Sequence, residues 1–227
     1  MKIFLLSIAI FLLFSTKSFS HVDHYANFNY LEYELFRNNQ LIGYHKYDFK
    51  RKDIELSVVS EVNFKIKKLG VDLYKYYATS EENYKKGLFT SYKSKTKQNK
   101  KDRYVNIALD TSDNKLNIDG SSYKGKADIN VIVGTWWNHE IVKAKAQISG
   151  ISGRVIEQSV TFIGKEEVTI GDKTYKTLHF NFRSSDETLP ESKRLNTDIW
   201  YEEETYLWVK AAFDKSGYWE YRIKSFK

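Results

Sequence analysis

Apolar and polar residues alternate with a period of two along most of the chain. Between positions 54 and 66 one face carries Ile54, Leu56, Val58, Ser60, Val62, Phe64 and Ile66, and the other Glu55, Ser57, Val59, Glu61, Asn63 and Lys65. A helix would scatter these residues around its axis, whereas a half-buried antiparallel strand sorts them onto two faces. At about 3.3 Å per residue such a strand spans roughly 40 Å, and strands of that length twist and coil. The same rhythm predicts strands at 28–36, 41–49, 71–82, 88–97, 103–109 and 115–118, then at 154–163, 166–170, 174–183, 197–201, 206–213 and 218–226. Turn residues separate them: Asn38-Asn39, 68–70, 85–87, Asp113-Asn114, Gly164, Gly171-Asp172 and 214–217. This spacing predicts an all-β fold, a single strongly curved antiparallel sheet forming a partly closed barrel or β-roll. Strand–helix alternation is missing, which excludes a parallel α/β sheet.

Two segments break the rhythm. Residues 184–196 hold the single proline, Pro190, among mixed charges, and read as a solvated loop. Residues 133–142, VGTWWNHEIV, lead into the one stretch with helical character, 137–147. Asn138 is placed to cap a short helix there, with Ile141, Val142 and Ala146 as its buried stripe. A tryptophan buries a large apolar body while its N–H still needs a partner. Trp136 or Trp137 is therefore expected to plug one end of the barrel, with the helix after Trp137 completing the plug. The competing expectation is that the pair lines a ligand mouth beside Asn138 and His139.

The first twenty residues are unlike the rest. Lys2 precedes a run at 3–14 interrupted only by Ser7, and small polar residues follow at 15–20. That pattern predicts a secretory signal peptide, with the mature chain starting near His21 and forming one domain over 21–227. The compartment expected is the periplasm or the exterior. About 207 residues suffice to bury a core without disulfides, in keeping with the absence of cysteine. Tyrosine, phenylalanine and tryptophan make up 16% of the chain, which favours strands. Without Lys2 and Lys17 the formal charge falls from +7 to +5. A mild positive excess on an exported protein suits anionic lipid, lipopolysaccharide or acidic glycan better than nucleic acid, and it also serves solubility.

Chemistry-bearing motifs are sparse. His21 and His24, in HVDH, form a conceivable terminal copper site, but no remote partner can be named. His45, His139 and His179 are far apart in sequence and match no metal spacing, so no metal and no cofactor is expected. There is no cysteine and no G-x-S-x-G elbow, and Ser149 and Ser152 lie in a turn. Carboxylates cluster at Glu81-Glu82, at Glu166-Glu167, and at Asp198 with Glu202, Glu203 and Glu204. A glycosidase needs two such groups about 5–10 Å apart. Lys93, Lys95 and Lys97 fall on one strand face, a patch for anionic headgroups or a guard on an exposed sheet edge.

Several pieces resemble an uncharacterised family of exported bacterial proteins, a domain of unknown function. YKYYATSEENY at 74–84 is similar to that family's tyrosine-rich strand ending in Ser and Glu, here Ser80 and Glu82. TWWN at 135–138 resembles its Thr-x-Trp-Asn element. SGRV, GKEEV, TLHF and DIWYEEETYLWVKAAF resemble its C-terminal meander, with Asp198, Trp200 and Tyr201 in place. The chain departs from that pattern at His139, where a proline is expected, and in the lysine-rich 92–103 hairpin. A second family of periplasmic β-proteins is more distantly similar. The resemblance implies an exported β-rich fold and supplies no mechanism.

The function expected is that of an exported, non-catalytic envelope protein binding a hydrophobic or anionic ligand inside the barrel. Candidate ligand-binding residues are Tyr74, Tyr76, Glu82, Trp136, Trp137, Asn138, Asp198 and Trp200. The expected partner is a lipid, glycan or other envelope small molecule, with membrane contact at most peripheral and no nucleic acid. One alternative is an envelope hydrolase using Glu82 or Asp198. The other is an integral outer-membrane barrel, which requires an uncharged outward band in every strand. Trp219, Tyr221 and Ile223 would suit that band, whereas Lys176 would fall at membrane depth.

Overall fold

The computed structural model describes residues 25–227, so the predicted signal peptide and His21 and His24 lie outside the described residues. Fifteen strands form one continuous sheet. They are β1 (Tyr30–Arg37), β2 (Gln40–Lys52), β3 (Glu55–Lys68), β4 (Val71–Lys85), β5 (Leu88–Gln98), β6 (Lys101–Asp110), β7 (Lys115–Gly120) and β8 (Tyr123–Asp128). After them come β9 (Ile132–Val133), β10 (Ala146–Ile148), β11 (Val155–Ile170), β12 (Lys173–Ser184), β13 (Asn196–Glu202), β14 (Trp208–Asp214) and β15 (Tyr218–Phe226). β1 to β8 meander on one side of β1, and β15 back to β10 meander on the other, because β1 pairs with both β2 and β15. β9 closes the order as a parallel neighbour of β10.

The predicted strands are present, and the differences have local causes. The stretches 154–163 and 166–170 are one strand, β11, because Gly164 sits in a register shift opposite β12 and not in a turn. The sequence reading missed β8, β9 and β10. The predicted helix 137–147 is replaced by a five-residue 3-10 turn, His139–Lys143, after which Ala146–Ile148 joins β11 as a strand. So short a segment cannot repay helix nucleation when a free strand edge lies beside it. Asn138 still caps the turn, its side chain accepting from the Glu140 N–H at 3.1 Å. A second 3-10 turn, Glu191–Lys193, lies within the stretch read as a solvated loop.

Cross-strand register shows how the sheet rolls. One inward row runs Phe180, Ile199, Ala211, Tyr221, Leu35, Gly43, Phe64, Tyr76 from β12 across to β4. The adjacent outward row runs His179, Trp200, Lys210, Arg222, Glu34, Tyr44, Asn63, Tyr77, Lys97, Asp102. The outer face at this level is thus polar and charged. The sheet's two ends, β8 and β9, share no ladder. Instead Val133 and Ile148 pack on Tyr92, Val105, Ile107, Leu116 and Ile118, forming a second small core. The turn after β10 completes the seam: Ser94 Oγ and the Tyr92 hydroxyl donate to Gly150 O at 2.6 and 3.3 Å, and Ser122 N donates to Ser152 O at 3.0 Å. A Cβ on Gly120 would lie 2.7 Å from Ser152 O, so this approach requires glycine.

Candidate functional site

The segment from Val133 to Ala144 enters the barrel and stops one end. Trp137 is fully buried, with ring contacts to Phe49 at 5.3 Å, Tyr25 at 5.4 Å and Tyr84 at 5.8 Å, all edge-on. Its indole N–H must find an acceptor, and it donates to Glu82 Oε2 at 3.0 Å. Glu82 projects inward from β4 and also accepts from Thr135 Oγ1 at 3.1 Å and from the Tyr84 hydroxyl. Burial raises the Glu82 pKa above 4.5, and these three donors oppose the shift. Main-chain carbonyls of the plug are held too, by the Tyr47 hydroxyl on Thr135 O at 2.6 Å and the Tyr201 hydroxyl on Trp136 O at 2.8 Å.

Trp136 has a φ of 59°, an uncommon conformation for so large a side chain. The tyrosine bonds on either side hold it there, and its ring packs at 5.5 Å from both Trp208 and Tyr221. Beyond that ring the barrel is hollow. A cavity of about 1510 Å³ is floored by Trp136, Tyr47, Tyr221 and Phe213. Its wall is made by short inward side chains of β3, β4 and β5. In register these are Ser60, Ser80 and Ser94 in one row and Val62, Ala78 and Thr96 in the next. Small side chains at this level leave the space that Phe64 and Tyr76 fill one row further along. Ser60 and Ser80 hydrogen-bond each other at 2.8 Å.

His45 borders the cavity, its ring 4.2 Å from that of Tyr47. Both ring nitrogens are buried without a hydrogen-bond partner among the described residues, and burial lowers the pKa to about 3. The imidazole is therefore neutral at physiological pH and contributes a polarisable face, not a charge. Cations gather around the mouth: Arg103, Arg154, Arg183, Lys193, Arg194 and Lys215, against Glu187, Glu191 and Asp214. Arg194 is engaged by the backbone of its own loop, at Leu189 O and Glu187 O. Arg103 is propped by Gln98 and Ser122 at 3.1 and 3.2 Å. Among the described residues none of the six is in an ion pair, whereas Lys126, Lys143, Lys210 and Lys224, away from the mouth, are.

The residues singled out by sequence fall into three places. Tyr76 and Trp136 line the cavity, and Tyr74 lies next along β4, its ring 5.9 Å from Phe64. Glu82, Trp137 and Asn138 sit beneath the floor as parts of the plug, and His139 stacks on Tyr206 at 4.5 Å, away from the mouth. Asp198 and Trp200 are on the outer face. There His179 is bracketed by Glu166 at 2.9 Å and Asp198 at 3.0 Å, stacks on Trp200 at 4.2 Å, and Lys210 covers the indole at 4.7 Å. Glu82 and Asp198 thus belong to opposite sides of the sheet wall. Sequence reasoning missed Ser60, Ser80, Ser94, Thr96 and His45. The available signal was a run of small residues on the inward face of three consecutive strands otherwise lined by bulky ones. The mouth arginines carried no such signal, because they come from loops far apart in sequence.

A continuous sheet, antiparallel but for its last strand pair, rolled around a hollow, aromatic-floored interior defines a barrel-like all-β protein. The family described as Domain of unknown function (DUF6134) matches residues 33–224, and the chain belongs to that family. The fold is similar to that of the beta-barrel-like protein of domain of unknown function DUF1849 from Brucella abortus. The TM-score is 0.61 at 9% sequence identity, with 87% of this chain and 96% of that chain covered. At that identity the likeness is one of fold. No curated protein matches the sequence.

Proposed function

We propose that this chain is an exported, non-catalytic protein that holds an acidic, ring-bearing small molecule in the barrel cavity. The carrying observation is the cavity itself, about 1510 Å³ with an aromatic floor, hydroxyl-bearing walls and a mouth ringed by unpaired cations. Aromatic faces pack flat rings, and Ser and Thr hydroxyls hydrogen-bond polar substituents. An acyl chain would leave the remaining hydrogen-bonding capacity of those hydroxyls unused. Arginines at the mouth suit a carboxylate or phosphate, which they bind through paired N–H donors. The non-catalytic reading is supported by Glu82, whose carboxylate is saturated by three donors beneath the floor, and by Asp198, which lies outside the wall. Paired-carboxylate hydrolysis needs two such groups facing one substrate. The charged outward row favours a barrel surrounded by water over one embedded in lipid, and the apolar run at 3–14 favours export.

The test uses anilinonaphthalene sulfonate, a fused-ring anion of the proposed class. Saturable binding at one site is expected, weakened by Arg103→Ala or Arg154→Ala and abolished by Ala78→Trp, which fills the wall. Circular dichroism should show the native fold in each variant. Binding that never saturates, or that Ala78→Trp leaves intact, overturns the proposal.

A further inference from the structure

We infer that the hairpin joining β3 and β4 docks the mouth of the barrel onto an anionic lipid bilayer. The hairpin projects beyond both neighbours. Its pairing with β2 ends at Phe64, and its pairing with β5 ends at Tyr76. Asn99, in the neighbouring turn, marks the edge of the wall by bonding the Lys75 backbone twice, each at 2.8 Å. Residues 65–75 therefore form a two-stranded finger about 13 Å long, at roughly 3.3 Å per residue for four residues.

What the finger carries does not suit water. Leu69, at its tip, is 96% exposed, and Val71 and Leu73 are 62% and 55% exposed. Leu69 also has a φ of 50°, followed by Gly70 at 80°. Two left-handed residues make the tight hairpin turn in which Asn, Asp or Gly is favoured first. The turns at Asn38-Asn39 and Asn99 follow that preference. Leucine at the tip is thus a poor choice both for the turn and for water. Leu41 of β2, 58% exposed, adds to the apolar surface.

The surrounding charge identifies the partner. Lys65, Lys67 and Lys68 flank the tip on β3 and Lys75 follows on β4, all exposed, while Lys100 and Lys101 stand on the adjacent tip. Asp72 and Asp102 are the acids among them, and Asp72 is bonded to Lys75 at 2.9 Å. Apolar side chains at an extremity, ringed by lysines, match a bilayer interface: leucines enter the acyl boundary and lysines meet anionic headgroups. The hairpin lies at the mouth end, because the β3–β4 turn shares an end of the meander with the β5–β6, β10–β11 and β12–β13 turns, whose residues line the opening. Docking by this finger would turn the cavity toward the membrane surface. The inference does not depend on what the cavity holds.

Sedimentation with phosphatidylcholine vesicles, with and without phosphatidylglycerol, tests it. Binding is expected only with phosphatidylglycerol, and it should weaken as salt is raised. Leu69→Asn, which suits the turn and so keeps the fold, should reduce binding by about tenfold, as should Lys65→Gln combined with Lys68→Gln. Leu88→Asn, an exposed apolar residue at the opposite end, should change nothing. Vesicle binding unaltered by Leu69→Asn overturns the inference. So does concentration-dependent self-association abolished by Leu69→Asn, which would assign the finger to a second copy of the chain.

Discussion

Replacing Glu82 with alanine should destabilise the protein by about 3–5 kcal/mol. The carboxylate is the common acceptor for the Trp137 indole at 3.0 Å, Thr135 Oγ1 at 3.1 Å and the Tyr84 hydroxyl. Removing it leaves three donors to be resatisfied, two buried and Thr135 half-buried, each at about 1–3 kcal/mol if it fails. Only Thr135 has a weak alternative, Val133 O at 3.5 Å; the Tyr84 hydroxyl oxygen accepts from Asn138 Nδ2 at 3.4 Å, which leaves its own proton without an acceptor. Thr135 belongs near the bottom of the range and the Tyr84 hydroxyl and the indole nearer its middle, and so the sum stays at about 3–5 kcal/mol. Losing the buried carboxylate also relieves its own desolvation, which keeps the figure from rising further. That is a large share of the roughly 5–15 kcal/mol typical of a folded protein. Glu82→Gln keeps the shape and one acceptor oxygen for Thr135 and Trp137, and should cost about 1 kcal/mol. Urea unfolding followed by tryptophan fluorescence measures both. Glu82→Ala within about 1 kcal/mol of the parent, or Glu82→Gln as damaging as Glu82→Ala, would refute the claim that this carboxylate anchors the plug.

The same side chain sets a pH dependence. Its folded pKa is raised above 4.5, so the folded state keeps a proton that the unfolded chain releases. The contribution is full below pH 4.5 and is lost as pH rises through the folded pKa. Unfolding curves taken between about pH 4 and pH 7 should show the parent losing stability relative to Glu82→Gln; parallel profiles would contradict the assignment. Gly43→Ala should cost about 2 kcal/mol or more, since its Cβ would lie 2.0 Å from Asn63 O and 2.5 Å from Phe64 Cβ. A thermal melt unchanged by this substitution would mean that β2 and β3 do not approach as described. Asp198→Ala should leave anilinonaphthalene sulfonate binding untouched and alter stability by no more than about 1 kcal/mol, its hydrogen bond with His179 being partly solvated. Loss of probe binding in that variant would place the site on the outer face.

Period-two alternation carried most of the architecture, because a strand with one wet face must sort its side chains. The inward row Leu56, Val58, Ser60, Val62, Phe64 is legible in the alternation alone. β8 escaped notice because YKGKAD offers no apolar face, only Ala127 being buried. β9 and β10 are too short for any period to register, and they exist because β11 and the inner face of β5 to β7 provide partners. The capping role of Asn138 is local chemistry and was foreseeable. The separation of Glu82 from Asp198 was not: each lies on an alternating strand, and which face turns inward is decided by residues of other segments, Trp137 for Glu82 and His179 for Asp198. The cavity likewise depends on small residues aligning across three strands, and register decides that alignment.

The proposed function requires the space above Trp136 to be a site and not merely a gap in packing. Native mass spectrometry of the protein released from its producing cells without detergent addresses this directly. An added small-molecule mass is expected on the parent protein and not on folded Ala78→Trp. The bare polypeptide mass in both, or the same added mass in both, would contradict it.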